Sequence, residues 1–379
     1  EYIESARDIA RQHDSDLGLA QTWELESLTL ISEGQRDRAF ELLDKAIATY
    51  EPLLDQSDDE EQVHDALEGL ANCYNLRGVI LRQSGRQADA LGAYETALEY
   101  AERGELRKQE RYLLINSGLA LVYLGEFGEA LERYNRALEQ CEQLGNRKDQ
   151  AITLVNLGHA LFLIGRLDEA TRKIQRGIYL ARKTEDDASI ADGQISMGLC
   201  YLERGDASAA ERVLQEGLRI ADSIPNRYLS VHATLAMAEV KLAEGTSDDA
   251  RIALMQAEDA VERAEDAEMN WGVILGKSLM ARSMKILGRR DEAVELSSEA
   301  VDMLDEAPTH GLEEILYHHT QILPDEDQYR DERADAIRRA RELVLERRDG
   351  LDDPADRDAF VNRSINRQIL NVASLVLEG

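Results

Sequence analysis

The apolar and small positions of the chain recur together along most of its length. A glycine is followed five residues later by alanine, and seven residues after that by another small residue. The intervals between successive glycines of this kind are 51, 40, 40, 40, 40 and 43 residues. Four equal intervals in succession indicate a structural repeat of forty residues. The pattern begins at Gly34, Gly85, Gly125, Gly165, Gly205, Gly245 and Gly288.

Each repeat predicts two helices joined by a short turn. A further small residue stands seven positions before each glycine, and an apolar run such as Leu119–Leu124 follows it. Glycine can end this first helix in a left-handed conformation at low cost. Acidic residues such as Glu126 and Glu129 then lie at the positive N-terminal end of a second helix. Neither helix can bury its apolar face alone, so the repeats predict an all-α solenoid of stacked antiparallel helix pairs.

The repeat resembles the tetratricopeptide repeat (TPR). Leu157, Gly158, Leu161, Gly165 and Ala170 carry the resemblance most fully. The forty-residue period is similar to the longer variant found in kinesin light chains and in Leu-Gly-Asn-repeat polarity scaffolds. The resemblance implies a right-handed superhelical solenoid whose first helices line a concave groove.

The departures from the repeat predict four segments. We expect residues 1–13 to be the second helix of a preceding repeat, so that the chain is cut from a longer protein, and 14–310 to be seven TPR-like repeats. Residues 311–347 are predicted to form a degenerate eighth repeat in which Pro324 ends the first helix early. Residues 348–379 then form a capping segment with a terminal helix at Ser364–Leu377. Eleven extra residues around Glu51–His64 predict lengthened helices and an acidic loop.

The last segment carries a second, shorter resemblance. Asp352–Pro354, Arg357–Phe360 and Asn366–Leu370 resemble the ending of large bacterial signalling proteins. Those proteins join a protein kinase or nucleotide cyclase, an ATPase module and a TPR tail. The resemblance implies an attached effector domain.

Charge limits the classes of partner. The chain has 75 acidic and 44 basic residues, and its formal net charge is −31. Such a protein repels nucleic acid and anionic lipid, so we predict neither as a partner. There is no run of 18 apolar residues and no signal peptide, and Cys73, Cys141 and Cys200 form no CxxC pair. These features predict a cytoplasmic protein without a zinc site.

The sequence contains no convincing catalytic constellation. Gly272–Ser278 is nearest to a phosphate-binding P-loop, but it has three rather than four residues between its glycines and lies within a predicted helix. His318 and His319 point about 100° apart on a helix and cannot both face one ion. We therefore predict a protein that is not an enzyme and has no cofactor and no metal site.

The predicted groove is the candidate binding surface. The resemblance places ligand-facing residues three before and one, four and five after the small residue of each first helix. The middle of this surface is apolar with two aromatic side chains, and an exposed apolar patch of that kind marks a binding site. Packing between neighbouring first helices is the alternative explanation for part of the pattern. The predicted partner-binding residues are Asn75, Arg82, Ile115, Leu119, Val122, Tyr123, Val155, His159, Phe162 and Leu199.

Two functions fit this sequence. The first is a protein interaction scaffold within a larger signalling protein, which binds a peptide or partner domain; we expect an apolar segment with basic flanks. Groove pairs such as Ile115/Leu119 and Val155/His159 lack the cationic and amide side chains of a carboxylate clamp, which argues against chaperone tails. The second is an intramolecular regulatory arm that controls an attached kinase, ATPase or protease domain.

Overall fold

The computed structural model describes residues 2–13, 15–306 and 311–377. The protein is 87% helical, and these ranges contain no β-strand. The chain divides into two compact units, Glu1–Leu121 and Val122–Gly379. The all-α class predicted from the repeat is confirmed.

The first unit consists of consecutive helices, and from α1 to α5 each helix packs on the next along the chain. Its helices are α1 (Tyr2–Gln12), α2 (Asp16–Ser32), α3 (Arg36–Gln56), α4 (Glu60–Gln83), α5 (Gln87–Arg103) and the greater part of α6 (Arg107–Leu124).

The second unit continues the same order of helix pairs. First helices are even-numbered and second helices odd-numbered up to α17, and from α8 onward each first helix packs on the second helix that follows it. The helices are α7 (Phe127–Leu144), α8 (Arg147–Ile164), α9 (Leu167–Lys183), α10 (Asp187–Glu203), α11 (Ala207–Ser223), α12 (Arg227–Glu244), α13 (Ser247–Asp266), α14 (Asn270–Ile286), α15 (Arg290–Glu306), α16 (Leu312–Ile322), the 3₁₀ turn η1 (Asp327–Tyr329), α17 (Arg330–Asp349), α18 (Pro354–Asn362) and α19 (Ser364–Leu377).

The seven repeat glycines make the turn inside each helix pair. All seven have positive φ, between +76° and +98°, where a side chain would be strained. Gly165 shows how the turn works: its N–H donates to the carbonyl of Leu161 at 3.1 Å and so satisfies the end of α8. The predicted left-handed helix ends are confirmed.

The small residue of the first helix lets a large side chain from the second helix reach the backbone. A Cβ at Gly158 would lie 2.5 Å from Cγ1 of Ile174, and a Cβ at Gly198 would lie 2.4 Å from Cγ of Leu214. Distances this short cannot be tolerated in a close-packed interior. The repeated small residue is therefore a requirement of helix pairing.

The irregular interval near Glu51–His64 is accommodated by longer helices. Helix α3 extends to Gln56 and α4 starts at Glu60, so only three residues form the loop. Asp59 caps α4 by accepting a hydrogen bond from the N–H of Glu61 at 3.0 Å. The predicted lengthening of the helices is confirmed.

The C-terminal elements also follow the sequence pattern. Helix α16 ends at Ile322, two residues before Pro324, and the predicted terminal helix Ser364–Leu377 has those bounds. Helix α19 packs on α16 and α17. The division into 1–13, 14–310, 311–347 and 348–379 stays a prediction; residues 1, 14, 307–310 and 378–379 lie outside the described ranges.

Replacement of Gly158 by alanine should destabilise the protein. The added methyl group overpacks the contact with Ile174, which typically costs about 1–3 kcal/mol. Gly92→Ala is the matched control, because Gly92 is exposed within α5 and a Cβ there meets nothing within 4 Å. The control should gain up to about 1 kcal/mol from helix propensity. Urea unfolding monitored by circular dichroism tests this, and equal stability of the two variants would contradict it.

Candidate binding surface on the first helices

Four of the predicted site residues belong to the first unit. Ile115 is buried, whereas Asn75, Arg82 and Leu119 are half-buried. Asn75 Oδ1 accepts a hydrogen bond from Asn116 Nδ2 at 2.8 Å, so α4 and α6 are linked through amide side chains. Arg82 lies beside the buried phenol of Tyr94. The three half-buried residues keep exposed surface, whereas Ile115 belongs to the core.

A surface pocket of about 200 Å³ lies between α4 and α6 beside Asn75. Its lining is mainly polar, and amide side chains both donate and accept hydrogen bonds. Gln109 Nε2 donates to Glu68 Oε1 at 2.5 Å across this pocket. The lining residues are Glu68, Ala71, Asn72, Asn75, Lys108, Gln109, Tyr112 and Leu113.

A carboxyl group is held next to this pocket. Glu24 accepts hydrogen bonds from Asn72 Nδ2 at 3.0 Å and from the Tyr50 hydroxyl at 3.3 Å. Burial raises the pKa of Glu24 to about 7 in spite of these bonds. The group is therefore partly protonated at neutral pH.

The other six predicted residues belong to the second unit, and the structure separates them by burial. Val122, Tyr123, Val155 and Phe162 are buried, whereas His159 and Leu199 are half-buried. Val155 packs against Gly177 on α9 and Gly193 on α10. A Cβ added at Gly177 would lie 2.8 Å from Cγ2 of Val155, and one added at Gly193 would lie 3.4 Å from it. Val155 thus packs between helices, which is the alternative that the sequence left open.

An aromatic cluster joins four first helices of the second unit. The hydroxyls of Tyr123 and Tyr228 are 2.8 Å apart. The ring of His159 lies 6.0 Å from Phe162 and 6.3 Å from His232. The cluster consists of Tyr123 on α6, His159 and Phe162 on α8, Tyr228 and His232 on α12, and Trp271 on α14.

Half of this aromatic cluster was absent from the prediction. The ring of Trp271 lies 5.0 Å from Tyr228 and 6.1 Å from His232. Tyr228 and Trp271 each stand ten residues before the small residue of their helix, outside the four positions that the resemblance supplied. A search for aromatic residues repeated at one position of successive first helices would have found them.

The position one residue after the small residue carries polar chemistry in later repeats. His159 and Leu199 occupy it in α8 and α10, and Glu239 and Arg282 occupy it in α12 and α14. Arg282 Nη1 donates to both carboxylate oxygens of Glu239, at 2.6 and 2.7 Å. Side chains at this repeated position therefore contact each other between the neighbouring first helices α12 and α14.

The same region contains three groups with metal-ligand chemistry. One ligand atom each from Glu239, Glu314 and His318 lies within 4.8 Å of the others. However, Arg282 neutralises Glu239, and burial together with Arg282 lowers the pKa of His318 to about 3. This set fits an ion-pair network better than a cation site.

The two adjacent histidines face different surroundings, as predicted. His318 lies by Glu314, whereas His319 is buried with Nδ1 2.8 Å from Ser297 Oγ and Nε2 3.0 Å from Glu332 Oε1. Desolvation lowers the pKa of His319. The two rings do not converge on one ion.

The P-loop-like segment Gly272–Ser278 lies inside α14. A Cβ at Gly276 would lie 2.4 Å from Cγ2 of Val261, so this glycine serves helix packing. Cys73, Cys141 and Cys200 are buried free thiols, and burial raises the pKa of Cys200 to about 11. Little of the Cys200 side chain is therefore in the reactive thiolate form at neutral pH.

Residues 347–364, here called the C-terminal strap, return to the start of the second unit. The guanidinium of buried Arg347 lies 6.0 Å from the ring of Phe127 and pairs with buried Glu313. Phe360 is fully buried, with its ring 5.8 Å from that of Phe127. Arg166 Nη1 donates to Asp356 Oδ1 at 3.1 Å.

The strap also reaches a predicted site residue. Arg363 stacks over Phe162, with Cζ 5.1 Å from the ring centre, and donates to the carbonyl of Leu163 at 3.2 Å. Glu203 accepts a hydrogen bond from the N–H of Ser364 at 2.8 Å and so caps α19. A Cβ at Gly165 would lie 2.6 Å from the carbonyl oxygen of Ala359. The protein's own strap therefore covers Phe162.

The fold places the protein among the helical-repeat proteins. Its candidate binding residues lie on the first helix of each pair. Residues 76–323 match the family described as the MalT-like TPR region, and the chain belongs to this family. No curated protein matches the chain.

Similar solved structures cover nearly the whole chain. A Rap protein complexed with Competence and Sporulation Factor is 15% identical, with a TM-score of 0.61 over 95% of this chain and 99% of that one. NprR in complex with its cognate peptide NprX is 13% identical, with a TM-score of 0.55 over 94% and 97%. A signal-transduction ATPase with a TPR sensor from Pyrococcus horikoshii is 13% identical, with a TM-score of 0.52 over 89% and 54%. At these identities the similarity establishes the fold.

None of the helices in the described part of the chain is long and apolar enough to cross a membrane.

Phe360→Ala should release the strap. Loss of a fully buried phenylalanine typically costs about 3–5 kcal/mol, and Arg357 and Arg363 should then become accessible to trypsin. Leu375→Ala in α19 is the control, because Leu375 is 77% exposed. Limited proteolysis with mass spectrometry tests this, and unchanged cleavage at both arginines would show that Phe360 does not hold the strap.

Proposed function

We propose that this chain is a non-catalytic binding module that takes a peptide or a segment of a partner protein on its first helices. The aromatic cluster of the second unit is the observation that carries this proposal. Aromatic side chains supply large contact area and much of the energy of an interface. His159, Tyr228 and Trp271 are only half-buried, so they keep surface for a ligand.

The chemistry of the surface favours binding over catalysis. The polar groups nearest to a catalytic arrangement are Glu239, Arg282, Glu314 and His318, but Arg282 is paired with Glu239, and His318 has a pKa of about 3 and is uncharged at neutral pH. The similar Rap protein is complexed with Competence and Sporulation Factor, and the similar NprR is in complex with its cognate peptide NprX. These complexes support a peptide or protein ligand for this chain as well.

Asp192 supports a cationic group in that ligand. It stands six residues before the small residue of α10, the position that His232 occupies in α12. Burial raises the pKa of this carboxyl to about 6, and a cation placed beside it would favour the charged form. We therefore infer that the ligand segment has an apolar centre, which contacts Trp271, and a basic flank, which contacts Asp192.

A second candidate function is an intramolecular regulatory arm. The similar ATPase from Pyrococcus horikoshii is described as carrying a TPR sensor, which supports this possibility. In a longer protein that contains residues 1–379, deletion of these residues should then change the activity of the attached kinase, ATPase or protease domain. Unchanged activity would leave the free binding module as the better proposal.

Trp271→Ala should weaken peptide binding. Peptides selected against the wild-type protein from a random display library serve as the probes, and we expect at least a tenfold rise in Kd, about 1.4 kcal/mol, measured by fluorescence anisotropy. Met255→Ala is the control, because Met255 is a 63% exposed apolar residue on the second helix α13. Equal effects of the two variants, or selection of no binder, would contradict the proposed site.

Binding of the basic probes should depend on Asp192 and on pH. Protonation neutralises Asp192 as the pH falls through about 6, so affinity should be full above this pH and fall below it. Asp192→Asn should reduce affinity at pH 7.5 by about tenfold, because a hydrogen bond to a charged group contributes about 1.5–3 kcal/mol, and should remove the pH dependence. An unchanged pH profile in Asp192→Asn would show that another group is responsible.

A further inference from the structure

Helix α9 differs in charge from every other second helix of the seven repeats. It contains five basic and two acidic residues, which gives a net charge of +3. In α3, α5, α7, α11, α13 and α15 the acidic residues outnumber the basic ones, most strongly in α15 with seven against one. A positive helix in a chain of net charge −31 is a local exception.

Four of the five basic residues form one continuous face of α9 together with Tyr179. Positions three and four apart lie on the same side of a helix, and this spacing holds from the first to the last. All five side chains of this face are exposed. At 1.5 Å per residue the face is about 17 Å long. We call it the basic stripe; it consists of Arg172, Arg176, Tyr179, Arg182 and Lys183.

The charges of the basic stripe are mostly not neutralised by the protein itself. Within the described ranges, Arg172, Arg182 and Lys183 take part in no ion pair; Arg176 pairs with Glu142 on α7 at 3.2 Å. That pair is exposed on both sides, and such pairs contribute little to stability. A ligand carboxylate could therefore replace Glu142 at small cost.

An aromatic side chain stands in the middle of the basic stripe. Tyr179 is 60% exposed, and Nζ of Lys183 lies 5.7 Å from the centre of its ring. Exposed tyrosine beside cations is a typical composition of an interface anchor, since tyrosine and arginine are enriched among the residues that dominate binding. The stripe thus offers both charge and contact area.

We propose that the basic stripe is a docking surface for a short acidic segment of a partner protein, with an apolar residue of that segment against Tyr179. A length of about 17 Å matches roughly five residues of extended chain. The stripe is bordered by carboxylates, Glu142 on α7 and Glu216 on α11. The pKa of Glu216 lies below its usual value because Arg219 hydrogen-bonds to it, with a smaller effect of Arg182.

These borders favour a short protein segment over nucleic acid. Charges separated by more than about 8 Å are largely screened at physiological ionic strength. A short acidic segment on the stripe therefore meets the five local side chains and not the net charge of the whole protein. A longer polyanion would have to cross the acidic surface on either side, where it is repelled.

The test uses fluorescein-labelled short peptides in which glutamates surround one phenylalanine, measured by fluorescence anisotropy at low and physiological salt. The probes for comparison are the same peptides with lysine for glutamate and a single-stranded oligonucleotide. The stripe variant is Arg172→Glu with Arg182→Glu. The control is Arg212→Glu with Arg290→Glu, which makes the same change of net charge on exposed positions of the second helices α11 and α15.

We expect the acidic peptides to bind wild-type protein, at least a tenfold loss of affinity in the stripe variant and less than a twofold loss in the control. Tyr179→Ala should weaken binding of the phenylalanine peptide but not of its alanine counterpart. Equal losses in the two charge variants, no binding of the acidic peptides at low salt, or tighter binding of the lysine peptides or oligonucleotide would each overturn the proposal. Trp271→Ala should leave this binding unchanged, so the two surfaces are tested separately.

Discussion

Close approach between the two helices of each pair is the constraint on which the rest of the structure depends. It needs a small residue at one position of the first helix, where a side chain such as Ile174 or Leu214 meets the backbone, and a glycine of positive φ in the turn. Because both requirements recur in the chain, equivalent residues of successive first helices face the same way. That register lets single positions in different repeats, such as His159, Glu239 and Arg282, build one surface.

The strap adds a constraint that the repeats do not contain. Arg166 and Asp356 are 190 residues apart in sequence and form an ion pair, and the rings of Phe127 and Phe360 pack at a tilt in the same region. The strap also holds the buried pair of Arg347 with Glu313, and such a pair is costly to break from one side because the remaining charge stays desolvated. The strap therefore fixes the last elements against the third and fourth repeats of the array. In doing so it covers Phe162 and leaves other aromatic side chains as the accessible part of the candidate surface.

Different surfaces of this protein carry different local charges. The total of −31 describes repulsion at a distance, which salt screens within about a nanometre, whereas recognition depends on local groups. Asp192 lies within the mostly apolar helix α10, and the basic stripe is a cationic face among acidic second helices. We propose that the two surfaces select for opposite charges, a difference that the net charge alone does not predict.

The sequence by itself determined the helix pairs, the left-handed glycine turns, the long α3 and α4 and the terminal helix. All of these follow from residues close together in the chain, where spacing and backbone preference decide. It also named Tyr123, His159 and Phe162, but it missed Tyr228 and Trp271 and did not separate Val155, which packs between helices, from a ligand-facing residue. Only the tertiary structure decided that Arg363 covers Phe162 and that Tyr123 meets Tyr228, because contacts across more than a hundred residues leave no periodic signal.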